Sequence, residues 1–429
     1  MSIWENSVEK PEFDTLEGNI KTDVLIIGGG MCGILCAYML KKAGMNCVIA
    51  EADRISSKVT CSTTAKVTFQ HGLLYNKIAQ KYGVENAYLY FASQKKALDE
   101  IKKIASGIDC DFKTCNSFVY SLNDCECIKK EAEILNKIGC DAEFCNETEL
   151  PFEVAGAVKV KGQGQFNPLK FACGLVKDLT IYENTRITEV NPGVAITDRG
   201  KIYAKKIIVA THFPFINKHG SYFLKMYQHR SYVLALKNAE TVSDMYVDEN
   251  MYGLSFRSYG DLLLLGGGSH RTGKKGGGWR ELEEFAKKVY PGAEVVDRWA
   301  TQDCMTLDGI PYIGRYSATT SDLYVATGFN KWGMTSSIVS AMILSDMICG
   351  RKNISSRVYS PQRSILHPQL ALNLLESAKG LLTPTVPRCP HMGCALKYNK
   401  QEHSWDCPCH GSRFDERGKL IDNPANDDK

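Results

Sequence analysis

Apolar residues fall into runs of two kinds along this chain, and the first run is the most regular. Val24-Leu25-Ile26-Ile27, entered from Asp23, is an unbroken apolar stretch of the kind that fills a strand buried on both faces. It leads directly into Gly28-Gly29-Gly30-Met31-Cys32-Gly33, after which Ile34 to Ala43 follows a helical period. Asn46 to Ala50 predicts the next strand and ends on Glu51. Amphipathic stretches from about Tyr75 to Ser106 predict helix. Asp109 to Val160 then alternates strand-like and helical pieces. Strand patterning returns at Thr180 to Val190 and in Lys205 to Thr211, a buried run closing on Val209-Ala210-Thr211. Ser231 to Leu236, Gly253 to Ser258 and Leu262 to Gly266 are strand-rich, with a turn at Tyr259-Gly260-Asp261. Asp322 to Gly328 is another strand ending in glycine, ahead of a helix from about Met334 to Cys349. A last helix is predicted over Pro368 to Lys379, and Pro384 and Pro387 mark a linker behind it.

A chain of 429 residues, 44% hydrophobic and 23% charged, supports two or three globular domains. The net charge of +4 is small and no long basic run exists, so charge points to neither nucleic acid nor an anionic membrane. No stretch of about eighteen apolar residues predicts a membrane span. The first residues are polar, with Glu5, Glu9, Lys10 and Asp14, unlike a signal peptide. Most of the seventeen cysteines are irregularly spaced on apolar faces, as at Cys32, Cys36, Cys47 and Cys173, which favours a reducing cytoplasm.

Strand, Gly28-x-Gly30-x-x-Gly33, helix, strand and acid in that order carry a specific chemistry. The first glycine permits a tight turn, the second lets backbone approach a pyrophosphate, and the third lets helix pack on strand. Glu51, just past the second strand, suits a ribose hydroxyl. At the other end stand Cys389-Pro390-His391 and Cys407-Pro408-Cys409-His410. Two thiolates and two imidazoles are the ligand set of a Rieske [2Fe-2S] centre, which gives metal ligands Cys389, His391, Cys407 and His410.

Residues 23 to 350 resemble the FAD-dependent oxidoreductases of the D-amino acid oxidase type. The likeness rests on Gly28, Gly30, Gly33 and Glu51, on Val209-Ala210-Thr211, on Trp299-Ala300, on Asp308 through Gly314, and on Gly328 through Gly333-Met334-Thr335. With the C-terminal boxes, the whole resembles a bacterial subfamily in which such a flavoprotein is fused to a Rieske module. The resemblance implies an α/β fold: an FAD-binding Rossmann-like domain with an inserted α+β substrate domain, plus a small C-terminal cluster-binding lobe. The expected division is an extension at 1–22, an FAD-binding layer at 23–74, 161–215 and 316–350, and a substrate domain at 75–160 and 216–315. A linker at 351–387 and the lobe at 388–429 complete it. The implied cofactors are FAD and a [2Fe-2S] cluster. Thr64, Ala210, Thr211, Gly328, Gly333, Met334 and Thr335 join the glycines and Glu51 as expected FAD contacts.

Departures from the family pattern refine this expectation. Amino-acid oxidases of the family carry an arginine for the substrate carboxylate where this chain has Asp303. Either Asp303 makes a cation site for an amine, or it caps a turn or pairs with Arg298. Thr301 occupies the position of a flavin-tethering cysteine, and Cys304 is out of register, so noncovalent FAD is expected. The lobe lacks the base strands of a full Rieske domain, and a unit this small needs its metal, a cross-link or the flavoprotein to hold its fold. The resemblance implies a Cys394–Cys409 disulfide, worth roughly 3 kcal/mol in the chain-entropy account. Ser412 matches a serine that raises the cluster potential, whereas Phe414 replaces a tyrosine, which implies an intermediate potential. Lys66 and Arg257 are candidates for the flavin or substrate face, with His212 the histidine nearest the cofactor. His71 and His270 read as structural.

The expected activity is that of an FAD-dependent dehydrogenase of an amine or related small molecule, passing electrons to the Rieske cluster and on to an external protein. The alternative is an electron-transfer flavo-iron-sulfur protein with no organic substrate. No mononuclear iron triad is evident for an oxygenase.

Overall fold

The computed structural model describes residues 2–384 and 387–429; Met1, Thr385 and Val386, which fall in the expected extension and linker, lie outside the described residues. The first apolar run forms the strand Ile20–Ile27 inside an eight-stranded sheet. It pairs in parallel with Lys201–Val209 on one side and Cys47–Ala50 on the other. Parallel pairing continues outward to Leu323–Thr327 and Thr180–Tyr182, and Tyr312–Arg315 adds an antiparallel edge. Ile34 and Leu35 of the helix Met31–Lys42 share an apolar core with Ile338 and Val339 of the helix Gly333–Ile348. That layer explains why Val24 and Ile26 are fully buried. The long helical pattern expected from Tyr75 is two helices, Leu74–Tyr82 and Val84–Ala105, because Gly83 between them takes a φ of +87°.

A nine-stranded sheet runs from Glu294–Thr306 through Met226–Lys237, Leu262–Arg271, Ser255–Tyr259, Met245–Asp248, Lys113–Ser121 and Gly156–Gln165 to Lys66–Val67. Two expected boundaries change here. Gly156–Gln165 is one strand held along its length by Lys113–Ser121, so residues 161–165 belong to this sheet and not to the FAD-binding layer. Lys66–Val67 pairs with the same strand and moves with it. The N-terminal residues are no free extension either. Trp4 is fully buried and its indole N–H donates to the Thr63 carbonyl at 2.8 Å.

The C-terminal lobe has its own sheet of four three-residue antiparallel strands, Lys397–Asn399, Ser404–Asp406, Arg413–Asp415 and Leu420–Asp422. Its core is small, chiefly Cys389, Cys394, Leu396, Cys407, Cys409 and Phe414. So small a core needs an added wall, and the segment expected as a linker supplies it. The helix Pro368–Leu382 lies so close that a Cβ at Gly380 would stand 2.6 Å from Cys409 Sγ. Ala395 N donates to the Gly380 carbonyl at 3.0 Å. Upstream, Arg363 forks onto both oxygens of the buried Asp308, each at 2.8 Å, and so fixes the start of this segment to the flavoprotein.

Candidate active site and cluster lobe

A cavity of about 840 Å³ takes its walls from both large sheets. Gly28, Gly30, Glu51, Thr64, Lys66, Ala210, Thr211, His212, Asp303, Gly333 and Met334 all line it. Four expected site residues do not. Gly33 and Gly328 are packing positions: a Cβ on the first would collide with the Gly28 carbonyl, and one on the second with the Thr306 methyl. Thr335 turns its hydroxyl to the Thr68 carbonyl at 3.0 Å. Arg257 is buried behind the wall, donating to the Ala65 carbonyl at 3.1 Å with its guanidinium over the Trp4 ring. It props the Thr64–Ala65 turn and is a positioning residue.

The cavity fits an FAD on three counts. Gly28 has a φ of +109°, and a Cβ there would come within 2.6 Å of the Ala210 carbonyl, so only glycine lets the two strand ends meet. A Cβ at Gly30 would meet only Thr60 Oγ1, at 3.5 Å, so its bareness leaves room on the cavity side. The helix that starts at Met31 opens on the cavity with no acidic residue in its first turn, leaving its positive end for a pyrophosphate. Glu51 accepts from Gly29 N at 2.6 Å and Asp53 N at 2.9 Å. Burial pushes its carboxyl up and those two donors pull it partly back.

Away from the glycines, the cavity wall carries three half-buried ionisable side chains, Asp303, Lys331 and Lys66. Asp303 has no hydrogen-bond or ion-pair partner within reach among the described residues. Burial pushes its carboxyl up to about 6, with Lys331 and Arg230 drawing it partly down. The alternative pairing with Arg298 is not made, since Arg298 binds Glu283 at 3.0 Å. Lys331 Nζ donates to the Met251 carbonyl at 3.0 Å and Ser269 Oγ at 3.1 Å. Lys66 Nζ reaches Thr64 Oγ1 at 3.3 Å and Ser255 Oγ at 3.4 Å, and burial lowers its ammonium to about 7. His71 is satisfied by Tyr90 OH and the Thr68 carbonyl, a structural role. His270 stacks on Tyr232 outside the cavity.

The lobe sits on the reverse side of this wall. Strands Met226–Lys237 and Glu294–Thr306 pair with Arg230 opposite Gln302 and His229 opposite Asp303. Side chains alternate between the two faces of a sheet. Ser231, Thr301 and Asp303 face the cavity, while Gln228, Arg230 and Gln302 reach the lobe. Gln228 Nε2 donates to the carbonyls of His410 (2.9 Å) and Asn423 (2.8 Å). Gln302 Nε2 donates to Gln228 Oε1 and to the Gly411 carbonyl, both at 2.8 Å, and Thr272 Oγ1 donates to Gln302 Oε1 at 2.9 Å. Arg271 holds the Pro408 and Cys409 carbonyls at 3.0 and 3.1 Å. Asn423, itself on the cavity wall, donates to the Thr211 and Phe213 carbonyls.

Of the four expected cluster ligands, Cys389 and Cys407 share the small core of the lobe. Gly393 N bonds the Cys389 carbonyl and Gly411 N the Cys407 carbonyl, closing the two ligand turns. The His391 and His410 rings lie 4.9 Å apart. Among the described residues, Nδ1 of both histidines is buried with no hydrogen-bond partner, as is Nε2 of His410, so a nitrogen of each ring could hold iron. His391 Nε2 meets Asn217 Oδ1 of the flavoprotein at 3.1 Å. Cys394 and Cys409, the expected disulfide, stand as free thiols in this structure, with their sulfurs and that of Cys407 within 4.8 Å of one another. Ser412 Oγ accepts from Ala425 N at 3.0 Å.

Gln228, Gln302, Lys331 and Asn423 escaped the sequence reading. Nothing local marks an amide in a strand as facing another domain. The single available signal was alternation across Gln302 and Asp303.

Comparison with known proteins agrees with this geometry. The profile of the FAD dependent oxidoreductase family (DAO) matches residues 23–347, and that of the Rieske [2Fe-2S] domain matches residues 349–428. YhfW of Bacillus subtilis (strain 168), whose name assigns it provisionally to the Rieske 2Fe-2S iron-sulfur proteins, is 32% identical across 99% of this chain and 96% of its own. Gamma-glutamylputrescine oxidoreductase of Escherichia coli (strain K12) is 24% identical over 79% of this chain and 86% of its own. Among solved structures, L-proline dehydrogenase from P. horikoshii superposes with a TM-score of 0.68 over 81% of this chain and 98% of its own, at 18% identity, a likeness of fold. The chain therefore belongs to the FAD dependent oxidoreductases and carries a C-terminal Rieske [2Fe-2S] domain.

Proposed function

We propose that this protein is a dehydrogenase of an amine or related small molecule that delivers electrons through its cluster to an external acceptor protein. One observation carries the reading: a single strand, Glu294–Thr306, presents Asp303 to the cavity and Gln302 to the cluster's ligand turn. This supports a reading in which substrate oxidation and electron exit take place on opposite faces of one strand. When bound, FAD supplies hydride acceptance and the Rieske cluster supplies one-electron transfer.

The chain's own residues do the rest. Gly28, Gly30 and the helix end at Met31 would hold the pyrophosphate, Glu51 the ribose, and Thr64, Ala210, Thr211, Gly333 and Met334 would flank the rest of FAD noncovalently, with Thr301 at the tethering position. Asp303, ionised and unpaired, attracts a protonated amine. A hydride leaves only from the neutral amine, and Lys66 Nζ, poised near neutrality, can hold the proton given up. The relative named gamma-glutamylputrescine oxidoreductase supports an amine-type substrate. Among the described residues, no helix is long and apolar enough to cross a membrane. The many unbridged cysteines support a reducing, cytoplasmic setting.

The test is anaerobic mixing of the loaded protein with a panel of amines while flavin absorbance is followed. Bleaching by a member of the panel, with reduction of the cluster, is expected. Bleaching by none, together with reduction by a protein electron donor, would replace the dehydrogenase with the electron-relay reading.

A further inference from the structure

The helix Pro368–Leu382 is inside out. Its buried residues are Asn373 and Gly380, while Leu372, Leu374, Leu375, Leu381 and Leu382 stand between 47% and 82% exposed. Leu366, just ahead of it, is 82% exposed, and Met392 of the first cluster box is 41% exposed. The polar inner face is explained by the chain itself. Asn373 Oδ1 accepts from Arg271 Nη1 at 2.9 Å, and Gly380 makes room for Cys409. The leucines on the outer face serve no contact of this kind. They continue into the cluster lobe, since a Cβ at Gly393 would stand 3.9 Å from Leu381 Cδ2.

Two exposed cations, Lys379 and Arg388, stand at this face. Arg388 caps the helix's C-terminal end, donating to the Leu381, Thr383 and Gly393 carbonyls, and is exposed. Lys379 is exposed on the helix itself. The one acid of the helix, Glu376, is taken up by Lys274 at 2.5 Å. The chain's small net charge conceals this grouping.

We propose that this face docks on an anionic lipid bilayer, with the helix lying in the plane of the headgroups. Aliphatic residues on one side with flanking cations is the composition of interfacial helices. A protein partner fits less well: protein hot spots favour Trp and Tyr and under-use Leu, and no Trp, Tyr or Phe lies between Leu366 and Pro384. A second copy fits less well too, because a two-fold contact would set the Lys379 and Arg388 of each copy into one shared interface of like charge. The docking surface stands independently of the proposed reaction.

The test uses the full chain loaded with FAD and cluster, floated with vesicles of phosphatidylcholine alone or of phosphatidylcholine with phosphatidylglycerol. The protein is expected to float with the anionic vesicles and to be released by high salt. Leu375→Ser/Leu382→Ser is expected to lower the floated fraction roughly tenfold while flavin absorbance and iron content stay at the parent level. No flotation with anionic vesicles, or equal flotation of parent and variant, overturns the proposal. So does light scattering that finds a dimer which the double variant turns into monomer, because the face then belongs to a second copy.

Discussion

Gln302 Nε2 lies 2.8 Å from the carbonyl oxygen of Gly411, so a side chain on the lobe side of the strand holds the backbone beside the expected ligand His410. The same amide also supports Gln228, which grips His410. Gln302→Leu strips both acceptors of their donor, and each buried group left unsatisfied costs about 1–3 kcal/mol. The expected outcome is a shifted cluster EPR spectrum and reduction potential, with easier proteolysis of the lobe and unchanged flavin absorbance. An EPR spectrum and a lobe stability identical to the parent's would deny the glutamine this positioning role.

On the proposed function, Asp303 is expected to set the pH dependence of amine binding. Its carboxyl is pushed up to about 6 by burial, so amine affinity should rise as pH rises through that value and the carboxylate forms. Asp303→Asn should erase this limb and raise the amine KM roughly tenfold, equivalent to about 1.4 kcal/mol. Folding stability runs the other way. A carboxyl raised above its ordinary value of about 3.9 stabilises the fold below that pH and loses this contribution as pH climbs through about 6. Thermal melts across this window should therefore be flatter for the asparagine variant, and parallel pH profiles for both proteins would contradict the assignment.

The two cofactor sites should be separable by single glycine substitutions. Gly28→Ala places a methyl 2.6 Å from the Ala210 carbonyl at a φ of +109°, and flavin content should fall several-fold. Gly380→Val drives a side chain onto Cys409 Sγ, and iron content should fall while flavin is kept. Joint loss of both cofactors in either variant would count against this independence.

Cys394 and Cys409 are close enough for their bonding state to depend on cluster loading. In the cluster-loaded protein we expect the pair to be bridged, read as protection of both residues from alkylation in mass spectrometry. Alkylation of both in iron-loaded protein would rule the bridge out.

Much of this was legible in the chain. The run Val24–Ile27 with its glycines and Glu51 states the FAD-binding unit locally, because strand, turn and helix are contiguous there. The ligand boxes are equally local. Residues recruited from a distance were harder to place. Arg257 sits on a predicted strand as a candidate for the flavin or substrate face, yet it lies behind the cavity wall, because neighbouring chain in the form of Trp4 and the Thr64–Ala65 turn claims it. Strand 156–165 crossed an expected boundary because its partner, Lys113–Ser121, lies some forty residues earlier and long-range pairing leaves no mark on either sequence. The linker reading failed for a similar reason. Pro384 and Pro387 do punctuate the chain, but Gly380 packs on a cysteine that comes twenty-nine residues later.

At residues 301–303 the strand Glu294–Thr306 addresses two sides at once. Thr301 and Asp303 face the cavity, and Gln302 between them faces the cluster turn. On the proposed function, substitutions at these positions are expected to act on substrate and on electron exit separately. A one-residue insertion in that strand would exchange the two addresses at once, turning the carboxylate toward the iron lobe and the amide toward the substrate.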